Sequence, residues 1–118
     1  MKNKIYHLST CNTCQRIIKG IDRKEEFELI DIKVTNIGPE DLDWLKDIKG
    51  SYEALFSRRA RKYSGLGLNK MILSEDDYRK YILQEYTFLK RPVIIYKGKA
   101  FIGNAKKEVE RAYELING

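Results

Sequence analysis

Two cysteines, Cys11 and Cys14, stand two residues apart in the segment Cys-Asn-Thr-Cys. The pattern around them predicts a strand before Cys11 and a helix beginning near Cys14, so both sulfurs lie close to a helix N-terminus. The unpaired amides and the dipole at that end favour negative charge and lower the pKa of an exposed thiol. We therefore predict Cys11 as the attacking thiolate and Cys14, nearer the covered face of the helix, as the resolving thiol.

The cysteine pair has two other interpretations, a structural zinc site and a pair of inert buried side chains. The same spacing supplies half of a structural zinc site, but the sequence has no second cysteine pair and His7 is its only histidine. The prediction is therefore that no metal is bound. Free cysteines can also be inert, buried, apolar side chains. That reading stays open, although it leaves the placement of both cysteines between a strand and a helix unexplained.

Composition indicates one globular domain spanning residues 1–118, with 42% hydrophobic and 34% charged residues. The net charge of +6 would attract an acidic partner. The positive residues are scattered and not interleaved with aromatic side chains, so direct nucleic-acid binding is not predicted. The opening Met-Lys-Asn-Lys leads into a short apolar run, so we expect no signal peptide, no membrane span and a cytoplasmic location.

The elements that position the cysteines follow from the hydrophobic pattern. Residues Lys4 to Leu8 predict a buried strand, and a turn is expected at Ser9 to Thr13. Helical spacing of the apolar residues from Cys14 to Ile21 predicts the helix that follows. Phe27 to Ile32 predicts a second strand, which a strand-helix-strand unit would pair parallel to the first.

The middle of the chain is predicted to be helical and its end to contain a hairpin. Helices are expected from Pro39 to Gly50, over Tyr52 to Phe56, and after a cap at Ser74 with Asp77. The final elements are strands 93–96 and 100–102 around Lys-Gly-Lys, and a helix over about 105–116. This order predicts an α/β, thioredoxin-like fold with a helical insertion, about 38–88, between the second and third strands.

Three stretches resemble the arsenate reductase (ArsC) family, which includes the Spx-type regulators. They are the Ile-Tyr-His and Cys-Asn-Thr-Cys start, Arg-Lys-Tyr-Ser-Gly-Leu-Gly-Leu at 61–68, and Phe-Leu-Lys-Arg-Pro-Val-Ile-Ile-Tyr at 88–96. The resemblance runs nearly end to end. It implies cysteine chemistry at Cys11 and a cis proline, Pro92, facing it.

The resemblance also implies an anion-binding set that is only partly present here. Arg91 matches the family arginine before the proline, whereas a second arginine position aligns with Ser57 and a third with Gly103. Each missing charge-assisted contact weakens oxyanion binding. We therefore expect disulfide exchange to be favoured over arsenate reduction. The expected substrate-binding residues are Arg91, Pro92, Arg58 and Arg59, the last two following Ser57 in the sequence.

His7 matches a family histidine four residues before the nucleophile, where an imidazolium would stabilise the thiolate. The alternative for His7 is a strand histidine whose ring nitrogen is satisfied by a hydrogen bond.

The resemblance leaves three functions open. The first is a thiol-disulfide oxidoreductase acting on an anionic small molecule or on a protein or glutathione disulfide. It would bind no cofactor and would take electrons from a thiol reductant such as glutathione with glutaredoxin, or thioredoxin. The second is a true arsenate reductase. The third is an Spx-type redox-sensing regulator that binds the RNA polymerase alpha subunit, since Gly50 falls where those regulators carry a glycine.

Overall fold

The structure, a computed structural model, describes residues 1–118. Its strands are β1 (Lys4–His7), β2 (Glu28–Asp31), β3 (Val93–Tyr96) and β4 (Lys99–Ile102). Its helices are α1 (Asn12–Lys19), α2 (Pro39–Lys49), α3 (Arg61–Gly65), α4 (Glu75–Gln84) and α5 (Lys106–Asn117). Short 3₁₀ turns lie at Lys24–Glu26, Glu53–Leu55, Leu68–Lys70 and Tyr86–Phe88.

The four strands form one mixed sheet in the order β2-β1-β3-β4. β1 is parallel to β2, as predicted, and antiparallel to β3, with Ile5 opposite Leu29 on one side and Ile94 on the other. This arrangement confirms the predicted α/β, thioredoxin-like fold with helices inserted between β2 and β3. The single-domain prediction for 1–118 stays a prediction.

The hairpin of β3 and β4 is tighter than the sequence suggested. Its turn consists of Lys97 and Gly98 alone, both with positive φ (47° and 78°), and Lys99 already pairs with Tyr96. A two-residue turn with two left-handed residues matches the twist of the strands.

The chain divides into two compact units: residues 1–35 with 91–118, here called the cysteine unit, and residues 36–90, called the helical unit. The limits of the helical unit lie close to those of the predicted insertion.

In the cysteine unit, α1 and α5 pack on one face of the sheet. Ile17 of α1 and Ile21, which follows the end of that helix, share a buried core with Ile5 and Ile94 of the sheet and Ile116 of α5.

The C-terminal end of α1 is fastened to α5 by close packing and hydrogen bonds. The Tyr113 hydroxyl donates to the Ile17 carbonyl (2.7 Å), and the Asn117 amide donates to the Gly20 carbonyl (2.8 Å). A Cβ at Gly20 would meet the Tyr113 ring and hydroxyl, so only glycine fits here without displacement.

The peptide bond between Arg91 and Pro92 is cis, which confirms the expectation drawn from the family resemblance. Pro92 is buried and immediately precedes β3, and its carbonyl accepts the Gly103 N–H at 2.8 Å. Residues 91 and 92 therefore enter the sheet at the edge where β1 ends, because Val93 pairs with Tyr6.

The helical unit is not entirely helical, contrary to the prediction. Phe56 and Leu89 form an isolated antiparallel bridge, in which the Ser57 N–H donates to the Phe88 carbonyl (2.7 Å). The bridge fixes extended chain on both sides of a helical segment. α2 ends at Gly50, whose φ of 93° is the left-handed conformation that glycine adopts most readily.

Stacked aromatic rings and an ion pair between α2 and α4 help to hold the helical unit together. Phe56 stacks on Phe88 and meets Tyr78 edge-on, each at a centroid distance of 4.9 Å. Arg79 of α4 donates two hydrogen bonds to Asp43 of α2, at 2.9 and 3.1 Å. The predicted cap of α4 is present as a reciprocal capping box between Ser74 and Asp77.

Candidate functional site

Cys11 is the N-cap residue of α1, and the helix begins at Asn12, two residues earlier than the apolar pattern indicated. The backbone N–H of Cys11 donates to the Leu8 carbonyl (2.9 Å), and its own carbonyl accepts the Gln15 N–H (3.1 Å). The turn from β1 is therefore closed directly onto the first turn of the helix. Cys14, three residues later, is completely buried, whereas Cys11 is partly exposed.

The pKa values of the two thiols are shifted in opposite directions. Burial pushes the pKa of Cys11 upward, but the Cys14 backbone and thiol, the charge of Arg91 and the Thr13 backbone together bring it below its ordinary value. Burial, together with the neighbouring Cys11 sulfur, raises the pKa of Cys14 to about 11, although a hydrogen bond from the Leu8 backbone and the charge of Arg91 act to lower it. In the hydrogen bond between the two side chains, the Cys14 thiol is therefore the donor and the Cys11 sulfur is the acceptor.

Arg91 supplies positive charge to the pair. It lowers the pKa of both Cys11 and Cys14, so its guanidinium lies within electrostatic reach of both sulfurs. A cation beside a thiolate stabilises it, and the same cation would attract an anionic group on an incoming substrate.

His7 lies at the end of β1, and its Nδ1 is 3.3 Å from Nε2 of Gln15. The same Gln15 nitrogen donates to the Leu8 carbonyl at 3.0 Å. This contact fits the alternative interpretation of His7, a strand histidine whose ring nitrogen is satisfied by a hydrogen bond. Its proposed role toward the Cys11 thiolate stays a prediction.

An acidic side chain lies on the strand next to His7. Asp31 pairs with His7 across β1 and β2, and its carboxylate accepts the backbone N–H groups of Ser9 (3.4 Å) and Lys33 (3.2 Å). The Ser9 side chain is the first cause that lowers the pKa of Asp31. The turn before Cys11 is thus held to β2 as well as to α1.

The other two predicted substrate-binding residues, Arg58 and Arg59, belong to the helical unit. Arg58 donates to Glu53 (2.6 Å) and to the Tyr78 hydroxyl (2.9 Å). Arg59 is exposed just before α3. Their assignment to the substrate stays a prediction.

Sequence reasoning missed Gln15 and the backbone of Leu8. Gln15 follows Cys14 directly, but a glutamine in a first helical turn is ordinary, and its contacts depend on how the β1 turn folds back. A backbone group carries no residue-type information at all. Neither could be found from the sequence pattern.

The structure has no group of three or more His, Cys, Asp or Glu side chains placed to hold a metal ion. None of its helices combines the length and the apolar character needed to cross a membrane.

Comparisons with known proteins agree on one family. The sequence pattern of the ArsC family matches residues 6–112. An uncharacterized protein of Haemophilus influenzae is 26% identical over 113 residues, covering 92% of this chain and 96% of that protein.

Solved structures agree with that match. A protein from Streptococcus mutans, described as a possible arsenate reductase, superposes with a TM-score of 0.70 at 26% identity, covering 92% and 97% of the two chains. An arsenate reductase from Vibrio cholerae superposes with a TM-score of 0.76 at 20% identity, covering 97% of each chain. At that identity the second likeness supports the fold alone.

Proposed function

This chain belongs to the ArsC family, and we propose that it works there as a thiol-disulfide oxidoreductase with Cys11 as nucleophile and Cys14 as resolving thiol. The observation that carries the proposal is that two hydrogen-bonded sulfurs at a helix N-terminus have pKa values shifted in opposite directions, lowered for Cys11 and raised for Cys14. A partly exposed thiolate beside a buried, protonated thiol is the arrangement that two-step exchange requires.

The proposed reaction is a two-electron exchange. The Cys11 thiolate attacks one sulfur of a substrate disulfide, forming a Cys11 mixed disulfide and expelling the other substrate sulfur as a thiolate. Cys14 then gives up its proton and attacks Cys11, which forms the Cys11–Cys14 disulfide and releases the remaining substrate thiol. Glutathione with glutaredoxin, or thioredoxin, would reduce that disulfide and restore both thiols.

The substrate class we propose is a glutathione mixed disulfide or a protein disulfide. Arg91 favours an anionic group next to the sulfur under attack, and a glutathionyl carboxylate satisfies that condition. In the helical unit, Arg58 already donates to Glu53, so less of its hydrogen-bonding capacity remains for a substrate anion.

Arsenate reduction is the alternative that the family relationship favours. A charge-assisted hydrogen bond is worth about 1.5–3 kcal/mol, so losing one or two of them weakens oxyanion binding by about one to several powers of ten. Ser57 and Gly103 occupy two of the three positions where the resemblance places arginines. We therefore expect disulfide exchange to proceed far better than arsenate reduction.

Parallel turnover assays test the proposal. Purified protein would be offered arsenate, a glutathione mixed disulfide and a protein disulfide, each with glutathione and glutaredoxin or with thioredoxin as reductant. We expect turnover of disulfides, complete loss in Cys11→Ser, and a trapped mixed disulfide in Cys14→Ser. Brisk arsenate turnover that disappears in Cys11→Ser would instead establish an arsenate reductase.

A pull-down against the isolated C-terminal domain of the RNA polymerase alpha subunit addresses the regulator alternative. Capture that depends on the Cys11–Cys14 redox state, without turnover of any substrate, would contradict the enzyme proposal.

A further inference from the structure

The peptide groups of Leu8 contact both members of the cysteine pair. The Leu8 carbonyl accepts two hydrogen bonds, from the Cys11 N–H at 2.9 Å and from the Gln15 side chain at 3.0 Å. On its other side, the Leu8 backbone N–H donates toward the Cys14 sulfur. The position of this one residue therefore affects the surroundings of both thiols.

The chemistry of its neighbours fixes the orientation of the Gln15 amide. A carbonyl oxygen only accepts, so the amide atom 3.0 Å from the Leu8 oxygen must be the nitrogen. The same nitrogen lies 3.3 Å from Nδ1 of His7, which can accept its second hydrogen. Gln15 thus spans from α1 back to the end of β1 with both amide hydrogens directed at acceptors.

We propose that Gln15 is a positioning residue that fixes the backbone of Leu8 beside the cysteine pair, so that attack by Cys14 on the mixed disulfide depends on the Gln15 amide. The inference rests on the exchange function proposed above and assigns a determinant to its second step.

The physical reason is the deprotonation that the second step requires. Cys14 must lose its proton before its sulfur can form the bond to Cys11 and expel the substrate thiolate. Burial opposes this loss, and the Leu8 N–H is the first contribution that favours it. Without Gln15, the Leu8 carbonyl keeps only its bond from Cys11, and the turn is free to shift away from the Cys14 sulfur.

Charged and titratable groups act on both cysteines and contact Gln15. Cys11 and Arg91 act directly on Cys14, while His7, whose Nδ1 lies 3.3 Å from the Gln15 amide nitrogen, pairs with Asp31 of β2. Replacing Gln15 by Met changes none of these groups, so a change in the pH profile would report the lost amide and not a lost charge.

A single-turnover reaction with 5,5′-dithiobis(2-nitrobenzoate) separates the two steps. The first released thionitrobenzoate reports attack by Cys11, and the second reports displacement by Cys14. In Gln15→Met we expect the second phase to slow by about five- to tenfold, the factor that one neutral hydrogen bond contributes, with its pH midpoint moved upward. The first phase should change less than about twofold.

Lys19→Met, an exposed change on the same helix, is the matched control and should leave both phases as in the parent protein. Gln15→Glu keeps the shape but cannot donate to the Leu8 carbonyl when ionised, so it should slow the second phase at least as much. An unchanged second phase in both Gln15 variants, or equal slowing of both phases, overturns the inference. A parent protein that shows no second phase overturns the exchange function itself.

Discussion

In the cysteine unit Arg91 acts through its charge on two thiols, whereas in the helical unit Arg58 and Arg79 each donate hydrogen bonds to a carboxylate. The same residue type therefore lowers thiol pKa values in one unit and joins structural elements in the other. A guanidinium that already donates to Glu53 or Asp43 has fewer donors left for a substrate oxyanion. An arginine that a family resemblance places close to a binding position therefore cannot simply be counted as an anion ligand.

The largest effect should appear within the cysteine unit, as selective alkylation. At pH 7 a thiol with a pKa of about 11 is ionised in about one molecule in ten thousand, whereas a thiol with a pKa below 9.0 is ionised in more than about one in a hundred. Limiting iodoacetamide should therefore label Cys11 over Cys14 by more than about a hundredfold, measured by mass spectrometry. Equal labelling, or labelling mainly at Cys14, would reverse the assignment of the two thiols.

A glycine in each unit gives a matched test of packing. Gly20→Ala places a methyl group against the Tyr113 ring, and overpacking of this kind costs about 1–3 kcal/mol. Gly65→Ala in α3 of the helical unit meets no atom within 4 Å, and alanine is a better helix residue than glycine, so it should not lower the free energy of unfolding. Denaturant unfolding of both variants checks this. A Gly20→Ala variant as stable as Gly65→Ala would mean that α5 shifts at no cost.

Replacing one arginine in each unit tests whether Arg91 and Arg79 act in different ways. Arg91→Met should move the pH midpoint of Cys11 alkylation upward, because Arg91 lowers the pKa of that thiol. Arg79→Met should lower the free energy of unfolding by about 1 kcal/mol through loss of its pair with Asp43. Alkylation profiles and denaturant curves are recorded for both. An alkylation midpoint that moves only in Arg79→Met would break the distinction.

The smallest effect should be the contribution of Asp43 to the acid dependence of the free energy of unfolding. Its hydrogen bonds from Arg79 and then Tyr52 lower its pKa to about 2 from the ordinary 3.8. A lowered pKa in the folded state contributes stability above about pH 4, and this is lost as the pH falls toward 2. The side chain is 45% exposed, so about 1 kcal/mol or less is at stake.

Unfolding curves between pH 2 and pH 5 should show a smaller acid dependence in Asp43→Asn than in the parent protein. Asp47→Asn, an exposed change on the same helix, is the control and should keep the parent's dependence. If the two variants behave alike, the Asp43 pair contributes nothing measurable.

Features that depend on local sequence were predictable. The strand at Lys4–His7 and the cap at Ser74 with Asp77 follow from short patterns of residue type. The position of Cys11 ahead of a helix came from the change in hydrophobic period, and the cis bond before Pro92 came from family resemblance.

Features that depend on contacts between distant residues were not predictable. Arg58 bonds to Tyr78, twenty positions away, and the Phe56 to Leu89 bridge joins the two ends of a segment that reads as helical throughout. The amide of Gln15 finds the Leu8 carbonyl only because the turn between them closes. In each case the contact depends on the tertiary fold and not on the spacing of the residues in the sequence.

The cysteine unit is discontinuous in the chain, and this orders its formation during protein synthesis. The ribosome makes β1, α1 and β2 first, but β3, the antiparallel partner of β1, begins only at Val93. Residues 36–90 emerge between them as one uninterrupted segment. Until Arg91 and β3 leave the ribosome, the nascent chain carries both cysteines beside an open strand edge. The surroundings of Cys11 and Cys14 are therefore completed only after the helical unit has been made, although β1 and α1 precede that unit in the chain.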